Sequence, residues 1–232
     1  MEVSGIEIEV LKKNIKNMHL YVMQPYGKVR ITAPLRISDD KIRLFVTSKI
    51  SWITKQQRKF DGQEQQPQRQ YISGETIYLW GKQYKLIVMY SNKFNHISVT
   101  ENEFVLTVRK ESTVKQRNNV INDFYRAELK KSIPPMLINL QPKMGVVAKE
   151  FRIKNMTTRW GTCNTNEKRI WLSLQLAKRP VECLEYVVIH ELTHLLEKPH
   201  SKKFYAYMDK FSPNWKATKK GLNGFIWDYL ET

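Results

Sequence analysis

The strongest constraint on the fold lies in residues 180–199, where two prolines bracket one helical pattern. Pro180 suits a first helical turn, where a missing N–H costs nothing. Pro199 closes the pattern, because the residue before a proline avoids helical geometry. Inside these limits the chain reads His190-Glu191-Leu192-Thr193-His194, an H-E-x-x-H pattern on a predicted helix running to Lys198. Four residues along a helix give about 400° of rotation and about 6 Å of rise, so both imidazoles project from one face. They can reach a single ion, and the Glu191 carboxylate beside them can meet water on that ion. Val181, Leu184, Val188, Leu192 and Leu195 fall on the opposite side and predict a core-facing surface. No charged residue occupies 189, 192, 193 or 195.

A catalytic zinc takes three protein ligands and keeps one position open. The chain has five histidines, and His200 directly follows Pro199 and precedes Ser201, a helix-capping residue type. The turn lets the chain bend back, so the expected metal ligands are His190, His194 and His200, with Glu191 as general base. His19 and His96 fall in predicted strands without ligand-type partners and read as structural. Cys163 reads as a small, half-buried residue near a turn. Two cysteines are too few for a disulfide framework and point to a reduced, cytoplasmic setting. The N-terminus lacks the basic and apolar segments of a signal peptide, and no apolar run approaches the roughly 18 residues of a membrane span.

The pattern changes along the chain. Residues 6–12, 15–23 and 29–33 alternate as strands, with Met18, Leu20 and Val22 on one face and a turn at 25–28. Ser38 is placed to cap a helix whose buried face is Ile42, Phe45, Val46, Ile50 and Ile53. Residues 56–70 turn Gln-, Lys- and Arg-rich and read as a loop or linker. Hairpins are expected at 76–88 and 96–108. A long helix should then run from about 112 to 132, interrupted by Pro134-Pro135, with a second piece at 136–140. Strands at 151–156 and 169–174 flank a turn-rich 161–168, and helical pieces follow at 201–211 and 225–230. The expectation is an α+β chain: a β-rich N-terminal part with one helix (1–110), then a zincin-like helix-and-sheet core (111–232).

The segments Thr158-Arg159-Trp160-Gly161-Thr162-Cys163, Ile170-Trp171-Leu172-Ser173 with Leu176, and His190 to His200-Ser201 resemble the YgjP-like (SprT-related) metallopeptidases. The likeness is strong over residues 145–215. It extends more weakly to Ile31-Thr32-Ala33-Pro34 and the hairpin at 74–84. Thr162 stands where the family usually has Ser, and Pro134-Pro135 departs from an unbroken preceding helix. The resemblance implies a metal-dependent hydrolase with zinc on His190, His194 and His200 and Glu191 as base. Related SprT proteins include proteases acting on DNA-attached proteins.

The expected substrate is a peptide or protein, taken along a sheet edge near the metal, with the 169–175 strand as candidate edge. Arg159, Trp160 and Trp171 are candidates to line the cleft, although both tryptophans fit a core equally well. Hydrolysis of a nucleotide or another phosphoanhydride, or a nucleic-acid-binding module with a structural zinc, remain alternatives. Lys and Arg number 39 against 22 Asp and Glu, a formal net charge of +17. That excess suits a nucleic-acid partner held through a basic surface, and equally a chain that is simply basic.

Overall fold

The computed structural model describes residues 1–23, 27–58, 69–156 and 159–224. The expected turn at 25–28, most of the 56–70 linker, Thr158 and the 225–230 piece lie wholly or partly outside them. The chain divides into two compact units, Met1–Gln68 and Arg69–Thr232.

The first unit holds β1 (Glu2–Val3), β2 (Ile6–Lys13), β3 (His19–Met23), β4 (Lys28–Pro34), α1 (Asp39–Thr47) and α2 (Ile50–Gln57). Its sheet has the order β1-β2-β4-β3, with β2 parallel and β3 antiparallel to β4. The period-two pattern of β4 buries Val29, Ile31 and Ala33 against Ile42, Val46 and Ile53. Two helices stand where one was expected. The Thr47 and Ser48 hydroxyls donate to the carbonyls of Arg43 and Phe45, at 2.9 and 2.7 Å, and Lys49 leaves helical geometry with φ −113° and ψ 5°. Such local bonds compete with helix continuation.

The second unit starts with β5 (Thr76–Leu79), β6 (Lys82–Tyr90), β7 (His96–Val99) and β8 (Glu103–Val108), ordered β5-β6-β8-β7. These strands share one hydrophobic core with the helices that follow, so they group with 111–224 rather than with the N-terminal part. The expected boundary at 110 followed a change from strand to helix patterning. Compactness follows burial instead, because one face of this sheet is covered by α3 (Val114–Met144).

The α3 helix is continuous through Pro134 and Pro135, where an interruption was expected. Thr113 and Gln116 form a reciprocal capping box at its start, and Gly145, at φ 68°, ends it in the left-handed conformation. Ile121, Tyr125, Leu129, Ile133, Leu137, Leu140 and Met144 form one buried stripe running past both prolines. Burial of such side chains is worth about 1.5–3 kcal/mol each, enough together to outweigh the interior-proline penalty of about 3 kcal/mol.

The third sheet, β10-β11-β9, contains β9 (Glu150–Lys154), β10 (Gly161–Asn164) and β11 (Arg169–Ser173). The segment expected as a turn at 161–168 therefore opens with a strand. The 169–175 candidate edge is corrected too: β11 is the central strand, parallel to β9 and antiparallel to β10. A 3-10 turn (Leu174–Lys178) leads to α4 (Val181–Thr193), followed by α5 (Lys202–Phe211) and α6 (Trp215–Gly224). The β5–β6 turn fixes the start of α4. Trp80 N–H donates to the Ala177 carbonyl at 2.8 Å, and Gly81, at φ 82°, lies so close to Pro180 that a Cβ would come within 2.7 Å of its ring. Among the described residues no helix is long and apolar enough to cross a membrane.

The buried stripe, more than local propensity, holds α3 through its prolines. Ile133→Ala is expected to cost about 2–5 kcal/mol in denaturant unfolding. Ile138→Ala, at an exposed position five residues on, should stay within about 0.5 kcal/mol of the parent. Equal losses at both positions would refute this account of α3.

Candidate metal centre

Helix α4 is buried on nearly every side, with Leu184, Val188 and Leu192 fully inside the core. Val181, expected inward, is 41% exposed. The helix ends at Thr193 rather than Lys198. Leu195 and Leu196 N–H donate three residues back, to Leu192 and Thr193, which tightens the last turn. His194 is the C-cap residue, still in right-handed helical geometry, so its ring stays over that of His190.

The structure brings His190, His194 and His200 together, with one ring nitrogen from each within 4.8 Å of the others. Ring centroids are 5.0 Å apart for His190–His194 and His190–His200, and 4.8 Å for His194–His200. The Nε2 atoms of His190 and His200 approach to 3.1 Å. Two imidazole nitrogens on one tetrahedral zinc, with bonds of about 2.0–2.1 Å, stand about 3.3 Å apart. Among the described residues no fourth His, Cys or carboxylate joins the group. Three nitrogens converging on one point, with room for a fourth position, fit a catalytic metal better than a closed structural site.

Secondary contacts set these rings. The Lys198 carbonyl can only accept, so the 2.9 Å contact makes His194 Nδ1 a donor and leaves Nε2 with its lone pair free. Burial, then the charges of His194, His200 and Lys219, hold the His190 pKa down to about 3. Burial likewise lowers that of His194. Both imidazoles are therefore neutral near pH 7, the form that ligates. His200 reaches the group from the turn before α5. Ser201 caps that helix by accepting from Phe204 N–H at 3.2 Å, and its hydroxyl donates to Glu197 at 3.1 Å.

Phe204 is fully buried on α5. Its ring lies 5.0, 4.8 and 4.7 Å from those of His190, His194 and His200, a common floor beneath all three. The spacing H-S-x-x-F carried the signal, since the fourth residue after His200 is one turn into the capped helix.

Glu191 is 3% exposed, and its Oε2 has no hydrogen-bond partner. Burial pushes its carboxyl up to about 8, against the lowering influence of the Arg159 charge. Its carboxylate lies flat against Gly161 on edge strand β10, where a Cβ would come 2.5 Å from Oε1. The glycine in Trp160-Gly161-Thr162 is thus the space the carboxylate occupies. An orphaned buried carboxylate beside the three imidazoles fits a cation at this point, because an adjacent positive charge favours its ionised form.

The centre opens into a cavity of about 240 Å³ lined by Trp160, Tyr186, Phe204, Tyr205, Trp215 and Lys219, along with Glu191, His190 and His200. Trp160 reaches the cavity, whereas Trp171 lies under the Arg152 guanidinium, 5.3 Å from it, and is not among the lining residues. Cys163 is half-buried in β10, its thiol pushed up to about 11 by burial and the nearby Glu191 charge. His19 and His96 are exposed residues of β3 and β7 and stand outside the histidine group.

The YgjP-like, metallopeptidase domain matches residues 16–225, nearly the whole chain. The chain belongs to the YgjP-like metallopeptidase family. A metallopeptidase is an enzyme that needs a metal ion, and the three histidines are a group able to hold one. Among solved structures, the metallopeptidase zymogen abylysin of Pyrococcus abyssi is similar at 22% identity, over 38% of this chain and 89% of that one, with a TM-score of 0.36. A search of curated proteins gave no match.

Because this YgjP-like chain seats Glu191 on Gly161, Gly161→Ala should cost about 1–3 kcal/mol by overpacking. In a Glu191→Ala background the same change should cost much less, since the colliding carboxylate is gone. Thermal or denaturant unfolding of the four proteins in this cycle measures the coupling, and additive losses would disprove the contact.

Proposed function

We propose that this protein is a zinc-dependent peptidase in which His190, His194 and His200 hold the metal and Glu191 is the general base. The observation that carries this reading is the convergence of three imidazole nitrogens beside the unpartnered, buried Glu191 carboxylate. Imidazole nitrogens suit zinc among the common metals. Zinc so held supplies Lewis acidity, polarising a carbonyl and lowering the pKa of water to about 7.

The chain's own residues do the rest. A substrate strand pairing with edge strand β10 would bring its scissile carbonyl alongside Glu191, because Gly161 on that strand touches the carboxylate. Glu191 Oε2 accepts a proton from the attacking water and hands it to the leaving nitrogen as the C–N bond breaks. Phe204 keeps the three rings in register, and Trp160 and Tyr186 shield the carboxylate from bulk water. Family membership favours a peptide over a phosphoanhydride substrate.

Metal analysis and peptide hydrolysis test this together. His190→Ala, His194→Ala and His200→Ala should each lower zinc content below one per chain. Glu191→Gln should keep zinc and lose about 10²–10⁴ in kcat. Full zinc occupancy in His200→Ala would remove that ligand, and undiminished turnover by Glu191→Gln would remove the base.

A further inference from the structure

The cavity beside the histidines carries an unusual balance of groups. Its aromatic walls are Trp160, Tyr186, Phe204, Tyr205 and Trp215, and among the described residues Glu191 is the one carboxylate lining it. Lys219, one turn into α6, lines the same cavity as His190 and Glu191. Its ammonium lies 5.6 Å from the centre of the Trp215 ring. That ring is itself fixed, by donation from Nε1 to Asp209 at 2.8 Å and by stacking on Tyr205 at 5.5 Å and 15°. Lys216 also lies on Trp215, at 5.5 Å, but pairs with Asp209 at 3.9 Å. Among the described residues Lys219 has no carboxylate partner, and it lines the cavity beside His190 and Glu191.

A cation on an aromatic platform, beside an aromatic cavity, is built to receive an anion attached to an apolar group. We propose that Lys219 is the specificity-determining residue of the cleft, anchoring a substrate carboxylate next to an aromatic or aliphatic side chain that fills the cavity. This rests on the peptidase reading and names its substrate class: peptides bearing a carboxylate within a residue or two of the scissile bond. The carboxylate is either the peptide's own C-terminus or an acidic side chain. Arg159, whose charge reaches Glu191, lies outside the cavity lining and acts on the base rather than on this anchor.

The test uses the zinc-loaded chain and three short peptides of one aromatic-rich sequence: one with a free C-terminus, one amidated, and one amidated with a glutamate replacing a neutral residue. Wild type should prefer at least one carboxylate peptide over the neutral one by about tenfold in kcat/KM, chiefly through KM. Which carboxylate peptide is preferred identifies the source. Lys219→Gln should abolish the preference without changing the unfolding midpoint, and Lys219→Glu should reverse it, making the neutral amidated peptide the preferred one. Calorimetric binding of the same peptides to Glu191→Gln gives a readout free of turnover. A preference that survives Lys219→Gln, or equal binding of neutral and carboxylate peptides, overturns the anchor. Cleavage of all three at equal rates sinks the anchor and leaves the peptidase reading standing. Carboxylate-dependent binding through Lys219 with no cleavage does the reverse.

Discussion

An ionisable carboxylate in a hydrophobic interior is costly unless something compensates it. Glu191 lies on a helix packed by Leu184, Val188 and Leu192, and among the described residues one of its oxygens has no partner at all. Much of the surrounding architecture serves to keep that group in place. Strand β10 has to approach α4 closely enough to clamp the carboxylate, and only a glycine at 161 leaves the space. Strand β11 has to sit behind β10 to hold it there, and Ser173 N–H donates to the Trp160 carbonyl at 2.8 Å, tying the approach to Gly161 down. A cation at the imidazole cluster would offset that cost, which makes the buried carboxylate and the candidate metal centre one arrangement.

The histidines show how local chemistry turns a helical repeat into a group able to hold a metal. Spacing puts His190 and His194 on one face but says nothing about which nitrogen of each is left free to ligate. For His194 that choice is made by the Lys198 carbonyl, which faces the ring because α4 ends at Thr193 and the chain turns back. In a helix continued to Lys198, as the residue pattern alone predicts, that carbonyl would point along the axis toward the C-terminus, away from His194. The early end of the helix is therefore part of the site.

How much of this was legible in the sequence depends on the range of the interaction. The H-E-x-x-H spacing, the Pro199 turn and the Ser201 cap act over a few residues and are readable directly. So are the β-rich first unit and the β5–β6 hairpin around Gly81. Long-range facts were not. The Pro134-Pro135 pair carries a strong local signal for a break, and it is overruled by a buried stripe whose partners come from sheet and helix residues far along the chain. The edge strand was misplaced for the same reason. Arg169–Ser173 has the stronger strand composition, while Gly161–Asn164 owes its extended form to pairing with it. Phe204 looks like any inward phenylalanine until three imidazoles are found above it.

The division of labour between α5 and α6 follows from where each begins. Residue 200 lies outside both α4 and α5, so its ring is held by the turn alone unless the next helix is anchored. Ser201 provides that anchor twice, accepting from Phe204 N–H and donating to Glu197. The cap that starts α5 thereby fixes His200 on one side and the Phe204 floor on the other. Helix α6 adds no residue to the histidine group. It contributes Trp215 and Lys219 to the cavity lining, where Tyr205 of α5 stacks on Trp215 and joins the two helices. Under the proposed function, the metal-holding histidines and the carboxylate anchor lie on different elements, joined through one aromatic stack.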